Sequence, residues 1–159
     1  MGPLTAYFQQ ARMQRDIAPH QLPFDQPSDD APDAEHKVEL GSLMEVIKFL
    51  LDVRTQAQLL HWGTYKFAVH IALSDLYDGL DGLTDELAEL LMGIEGSLDF
   101  SSQTPVNFNL SVDPKTFINE VIDIFKCSRQ LFFDTSAQNK FDEILALFNT
   151  TKYKIERLS

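Results

Sequence analysis

Residues 65–93 read YKFAVHIALSDLYDGLDGLTDELAELLMG, and the fold follows from how this stretch divides around a helix. Val69, Ala72, Leu73, Leu76, Leu80, Leu83, Leu87, Leu90 and Leu91 recur every three or four residues. At about 100° per residue they fall within an arc of about 100°, which predicts one long amphipathic helix. His70, Ser74, Asp78, Asp81, Asp85 and Glu89 occupy a second arc of similar width on the opposite side. Gly79 and Gly82 lie near the middle of the stretch, where each costs roughly 1 kcal/mol against alanine. Their presence predicts that another backbone comes close there.

Outward from this segment the same periodicity continues. Leu40, Leu43, Met44, Ile47, Leu50, Leu51 and Ala57 share a face and predict a helix over 38–62, with Gly63 as its stop. Asp113-Pro114 is an N-cap followed by a first-turn proline, opening a helix over 113–134 with Phe117, Val121, Ile124, Phe125, Leu131 and Phe132 as its apolar face. A break near Asp134–Ser136 leads to a last helix over 136–157. Residues 94–112 form a long polar connection, which suits a crossover better than a tight hairpin. No stretch alternates as a strand would. The expectation is an all-α, antiparallel four-helix bundle over 38–159 with a long connection between its second and third helices. Five of the seven prolines fall in residues 1–37, which read as an extended, proline-rich, acidic arm.

The chain has 159 residues and a formal charge of −11. Residues 113–159 balance seven acids with seven bases, whereas residues 38–112 carry eleven acids against three bases. No Lys or Arg occurs between Phe67 and Pro114. This distribution argues against sequence-independent nucleic-acid binding and against an anionic membrane surface. It suits cations. The single cysteine, Cys127, excludes an internal disulfide and a Cys-rich zinc site. No apolar run is long enough to span a bilayer, so the expected location is the cytoplasm, or a particle assembled there.

A stripe of one charge sign can simply be a solvated helix face. Unbroken like charge repels along i, i+3 and i+4, however, and His70 heads this stripe. His70 and Asp85 stand fifteen residues apart, about 22 Å along one helix, so they cannot hold one ion within a chain. Two copies of the helix crossing antiparallel near Asp78–Gly79 would bring His70 of one to Asp85 and Glu89 of the other. An isologous contact of this kind makes two equivalent sites. Imidazole with two carboxylates suits iron, manganese or zinc.

His61-Trp62, Phe67, His70 and Asp85-Glu86-Leu87-Ala88-Glu89 resemble the DNA-protection-during-starvation (Dps) branch of the ferritin-like proteins, over about residues 40–95. The resemblance implies a ferritin-like bundle, a homo-oligomer paired through its second helix, and Fe²⁺ held between subunits. It implies His61, His70, Asp85 and Glu89 as metal ligands, with Asp78 and Asp81 as accessory acids and a ferroxidase-type oxidation by peroxide or oxygen. Three features depart from the family pattern. Ser74 stands where an acid is usual, nine residues rather than twelve separate His61 from His70, and the short helix usual between the second and third helices is absent from the pattern. With nine residues between them, the two histidines converge only if the helix breaks at Gly63. His61 otherwise reads as a hydrogen-bonded core residue, and Trp62 as a packing or interface aromatic. A second function class fits the same chain. It is a structural or assembly protein, such as a virion component, that keeps the bundle and contacts neighbouring subunits through residues 1–37.

Overall fold

The computed structural model describes residues 40–99 and 111–158. The expected arm over 1–37 lies outside the described residues, as does most of the connection over 94–112. Within them the chain is all-helical. Helix α1 spans Leu43–Gly63, α2 Phe67–Glu95, α3 Pro114–Cys127 and α4 Thr135–Arg157, with a 3₁₀ turn at Ser128–Leu131 between α3 and α4. No strand occurs among the described residues. Helix α1 packs on α2, α2 on α4, α4 on α3 and α3 on α1, so the four close into a helical bundle.

Local chemistry sets the helix ends. The Ser42 hydroxyl accepts from Glu45 N–H, so α1 starts at Leu43 rather than at Val38. Helix α2 runs past Gly93 and stops at Gly96, whose φ of +89° suits a residue without a Cβ. Its N–H donates to the Met92 carbonyl. Asp113 accepts from Lys115 and Thr116 N–H, as the sequence predicts, and Asp134 caps α4 through Ser136 and Ala137 in the same way. The expected continuous helix over 113–134 instead tightens at Ser128. There the buried Ser128 hydroxyl donates to the Phe125 carbonyl at 2.7 Å and the chain turns as a 3₁₀ segment.

The core is leucine-rich between α1 and α2 and aromatic between α3 and α4. Leu73, Leu76, Leu80 and Leu87 are fully buried. Phe125 of α3 stacks on Phe141 of α4 at 4.3 Å, meets Phe148 edge-on at 5.2 Å and faces Phe49 of α1 at 6.5 Å. That one ring ties three helices together, with aromatic pairs worth about 0.5–1.5 kcal/mol each beyond burial.

The two glycines of α2 have different roles. A Cβ on Gly79 would come within 2.9 Å of Leu147 Cδ2 of α4, so the close neighbour there is a side chain of the same molecule. Gly82 has open space where a Cβ would be. A Gly82→Ala variant therefore gains helix propensity without a clash. Its thermal midpoint should rise by about 2–4 °C, as expected for about 1 kcal/mol in a domain of this size. An unchanged or lower midpoint would show that something already fills that space.

Asp52 of α1 is buried beside Lys48, 3.3 Å away. Burial pushes its carboxyl up to about 6, while the charge and hydrogen bond of Lys48 oppose the shift. Between the ordinary carboxylate range and pH 6 the folded chain holds this proton and the unfolded chain has lost it, so stability falls as pH rises. Urea titrations from pH 4 to 7 should show the natural chain losing about 2 kcal/mol relative to Asp52→Asn. Parallel pH profiles for the two proteins would contradict the assignment.

Candidate functional site

Helix α1 ends at Gly63 and α2 begins at Phe67, so the chain reverses within three residues and brings His61 and His70 face to face. Their rings stack with centroids 3.7 Å apart and planes inclined by 26°. His61 Nδ1 donates to the His70 carbonyl at 2.9 Å, and His70 Nδ1 donates to the His61 carbonyl at 3.1 Å. A carbonyl oxygen only accepts, so each Nδ1 carries the hydrogen. The His61 carbonyl belongs to the last turn of α1, where no intrahelical N–H is available, and His70 supplies its donor. The clasp therefore closes the α1–α2 turn and sets both tautomers. It also leaves the lone pair of each Nε2 uncommitted, with Nδ1 tied to a carbonyl as metal-ligating histidines commonly have it.

The stack limits what the pair can hold. Each Nε2 lone pair lies in its own ring plane. Planes inclined by only 26°, with centroids 3.7 Å apart, meet well beyond the ~2.1 Å reach of a metal–nitrogen bond. One ion bound in the plane of both rings would require the stack to open. As they stand, the two nitrogens address neighbouring positions.

A polar network surrounds the clasp. Tyr77 meets the His61 ring edge-on at 5.3 Å, and the Ser74 hydroxyl donates to the Tyr77 hydroxyl at 3.3 Å. The Arg54 guanidinium sits 5.7 Å from the centroid of the Tyr77 ring and donates to Gln58 Oε1 at 2.6 Å. It also grips Asp81 with two hydrogen bonds, of 2.7 and 3.0 Å. Those bonds hold the Asp81 carboxyl below its usual range. Asp81, an accessory acid in the sequence reading, is thus engaged within its own chain.

Six of the seven acids of α2 fall into two sets. Asp75 pairs with Lys154, Asp81 with Arg54 and Glu86 with Lys140, each cation reaching over from α4 or α1. Asp78, Asp85 and Glu89 are exposed and form no ion pair among the described residues. Fifteen residues of helix separate Asp85 from His70, so the two carboxylates and the clasp occupy different ends of the same helix. Among the described residues no three His, Cys, Asp or Glu side chains of this one chain gather as a metal-holding group.

Sequence reasoning selected His61, His70, Asp85 and Glu89 but missed Tyr77 and Arg54. Tyr77 lies seven residues after His70 and two helical turns along the same side of α2, a spacing that could have found it. Arg54 could not have been found this way, because its partner is twenty-seven residues away on another helix. Trp62 is largely exposed, so it is not a core aromatic of the described bundle. Helix α1 with Arg54 lies along one flank of α2, and α4 with Lys140, Leu147 and Lys154 along the other.

These features define a helical-bundle protein with a two-histidine clasp at one helical turn and a carboxylate-bearing open face on the central helix. Its residues 61–155 match the model of a family of unknown function (DUF5856), and the chain belongs to that family. No curated protein and no solved structure matches it. No helix among the described residues is long and apolar enough to cross a membrane.

The clasp should matter for stability irrespective of any ligand. His70→Ala removes the ring stack and the hydrogen bond from His70 Nδ1, and leaves the His61 carbonyl without its donor, while His61 Nδ1 keeps the backbone carbonyl at position 70. Urea unfolding should report a loss of about 1–2 kcal/mol. No change in stability would mean that the turn is closed by other contacts.

Proposed function

We propose that the protein is a ferritin-like homo-oligomer of the Dps kind, which takes Fe²⁺ as substrate or cargo at sites shared between two copies of α2. The observation that carries this reading is the clasp itself. Two imidazoles meet with both Nδ1 atoms tied down and both Nε2 atoms left for a ligand, beside a helix whose Asp78, Asp85 and Glu89 form no ion pair among the described residues. Asp85 and Glu89, one turn apart, are spaced for two carboxylates on one cation.

The ion and contact pairs support an antiparallel arrangement. Arg54–Asp81 and His61–His70 run in opposite sequence order along α1 and α2. Glu86–Lys140, Gly79–Leu147 and Asp75–Lys154 do so along α2 and α4. In the proposed dimer a second α2 crosses the open face near Asp78–Gly79, and its Asp85 and Glu89 approach the first copy's His70. The clasp then supplies nitrogen and the second copy supplies carboxylate. Fe²⁺ bound there would lose an electron to peroxide or oxygen, with the acidic face drawing in the cation. Asp78 remains an accessory acid in this scheme, and a cytoplasmic or virion location is part of the same proposal.

Ser74 favours a second reading, because it stands beside His70 where the resemblance calls for an acid. On that reading the clasp is purely a structural closure, and residues 1–37 contact other subunits in an assembly. One experiment separates the two. Anaerobic equilibrium dialysis with Fe²⁺ should show iron bound by the natural chain, and at least a tenfold weaker affinity in Asp85→Ala/Glu89→Ala. Ser74→Asp should bind iron more tightly than the natural chain by a similar factor. Absence of bound iron in all three proteins would favour the assembly reading.

A further inference from the structure

Tyr77 is placed to be more than packing. Its ring is held on three sides, edge-on by His61 at 5.3 Å, over one face by Arg54 at 5.7 Å, and at the hydroxyl by Ser74 at 3.3 Å. Long side chains on a helix lean toward its N-terminus, and from position 77 that direction leads back along α2 toward Ser74 and His70. The hydrogen bond to Ser74 shows that the phenol reaches that far. Ser74 is the helical neighbour of His70, four residues on, so the phenol oxygen sits one turn from the clasp. It makes no other hydrogen bond among the described residues, which leaves it a free lone pair. The residue is partly buried rather than sealed in the core.

The place in question is the one where the resemblance calls for an acid and this chain has Ser74. A serine hydroxyl is a poor anionic ligand, whereas a phenol that gives up its proton is a hard oxygen anion suited to ferric iron. We propose that Tyr77 supplies a phenolate oxygen to Fe³⁺ beside His61 and His70, in the role left open at position 74. This rests on the reading that iron binds at the clasp. On binding, the phenolic O–H bond breaks, its proton passes to solvent and an oxygen–iron bond forms. No electron leaves the ring.

The test uses the full-length protein loaded with ferric citrate and freed of excess by gel filtration. Bound iron is counted by elemental analysis, and the visible spectrum and resonance Raman modes are recorded on the same samples. The natural chain should bind iron and show a phenolate-to-iron charge-transfer band with ring modes enhanced under it. Tyr77→Phe, which keeps the ring against His61, should still bind iron but lose the band entirely. Ser74→Ala, which removes only the hydroxyl partner, should keep it. Iron bound by the natural chain with no band overturns the role of Tyr77 and leaves the iron reading standing. A band that persists in Tyr77→Phe assigns the phenolate to another tyrosine and overturns the proposal. No iron bound by the natural chain overturns both.

Discussion

Helix α2 must satisfy two demands at once, and the rest of the bundle is arranged around them. Its leucine stripe has to leave water, and its carboxylates have to stay in contact with water or a cation. The leucines are covered by α1 and α4, and burying each is worth about 1.5–3 kcal/mol. The carboxylates are handled by position. Those on the flanks meet a cation from the helix alongside, namely Arg54, Lys140 or Lys154. Asp78, Asp85 and Glu89, which face away from both neighbours, pair with no cation among the described residues. The unpaired charge of this face is therefore a remainder left by packing.

The His61–His70 clasp belongs to the same economy of ends. A three-residue reversal after Gly63 leaves the last carbonyls of α1 without donors. An imidazole from the first turn of α2 fills one of these vacancies, and the exchange is mutual. A device that closes a turn also dictates which nitrogen of each ring stays free, so a structural need and a capacity for ligands arise from one pair of hydrogen bonds. Stacking of the rings then decides how that capacity can be used. Side by side, the two nitrogens serve adjacent positions, which fits a site completed by groups from elsewhere better than a chelate made by one chain.

Much of the architecture was legible in residue spacing. The leucine periodicity of residues 69–91, the Asp113-Pro114 cap and the polar break at Asp134 each act locally, through contacts within a turn or two. They located the four helices to within a few residues at most ends. The misplacements also have local causes. Ser42 caps α1 later than the apolar pattern begins, Gly96 rather than Gly93 takes the positive φ, and buried Ser128 tightens the end of α3. The backbone approach expected at the two glycines is not what the described chain shows, because Gly79 meets the Leu147 side chain and Gly82 faces open space. Nothing in a helical wheel states which helix will cover which flank.

The candidate site divides along the same line. Composition and spacing alone determined an all-helical fold for the described residues, an acidic central helix, and the pairing of His70 with distant carboxylates as something a single helix cannot achieve. Only the tertiary structure decided that the chain reverses after the stop expected at Gly63 and returns His61 onto His70, that Arg54 withdraws Asp81 from the free acids, and that Tyr77 reaches Ser74 beside the clasp. These are contacts between elements, and their free energy depends on how the helices are set against one another. Periodicity records which face of a helix is apolar. It carries no record of what arrives on the polar one.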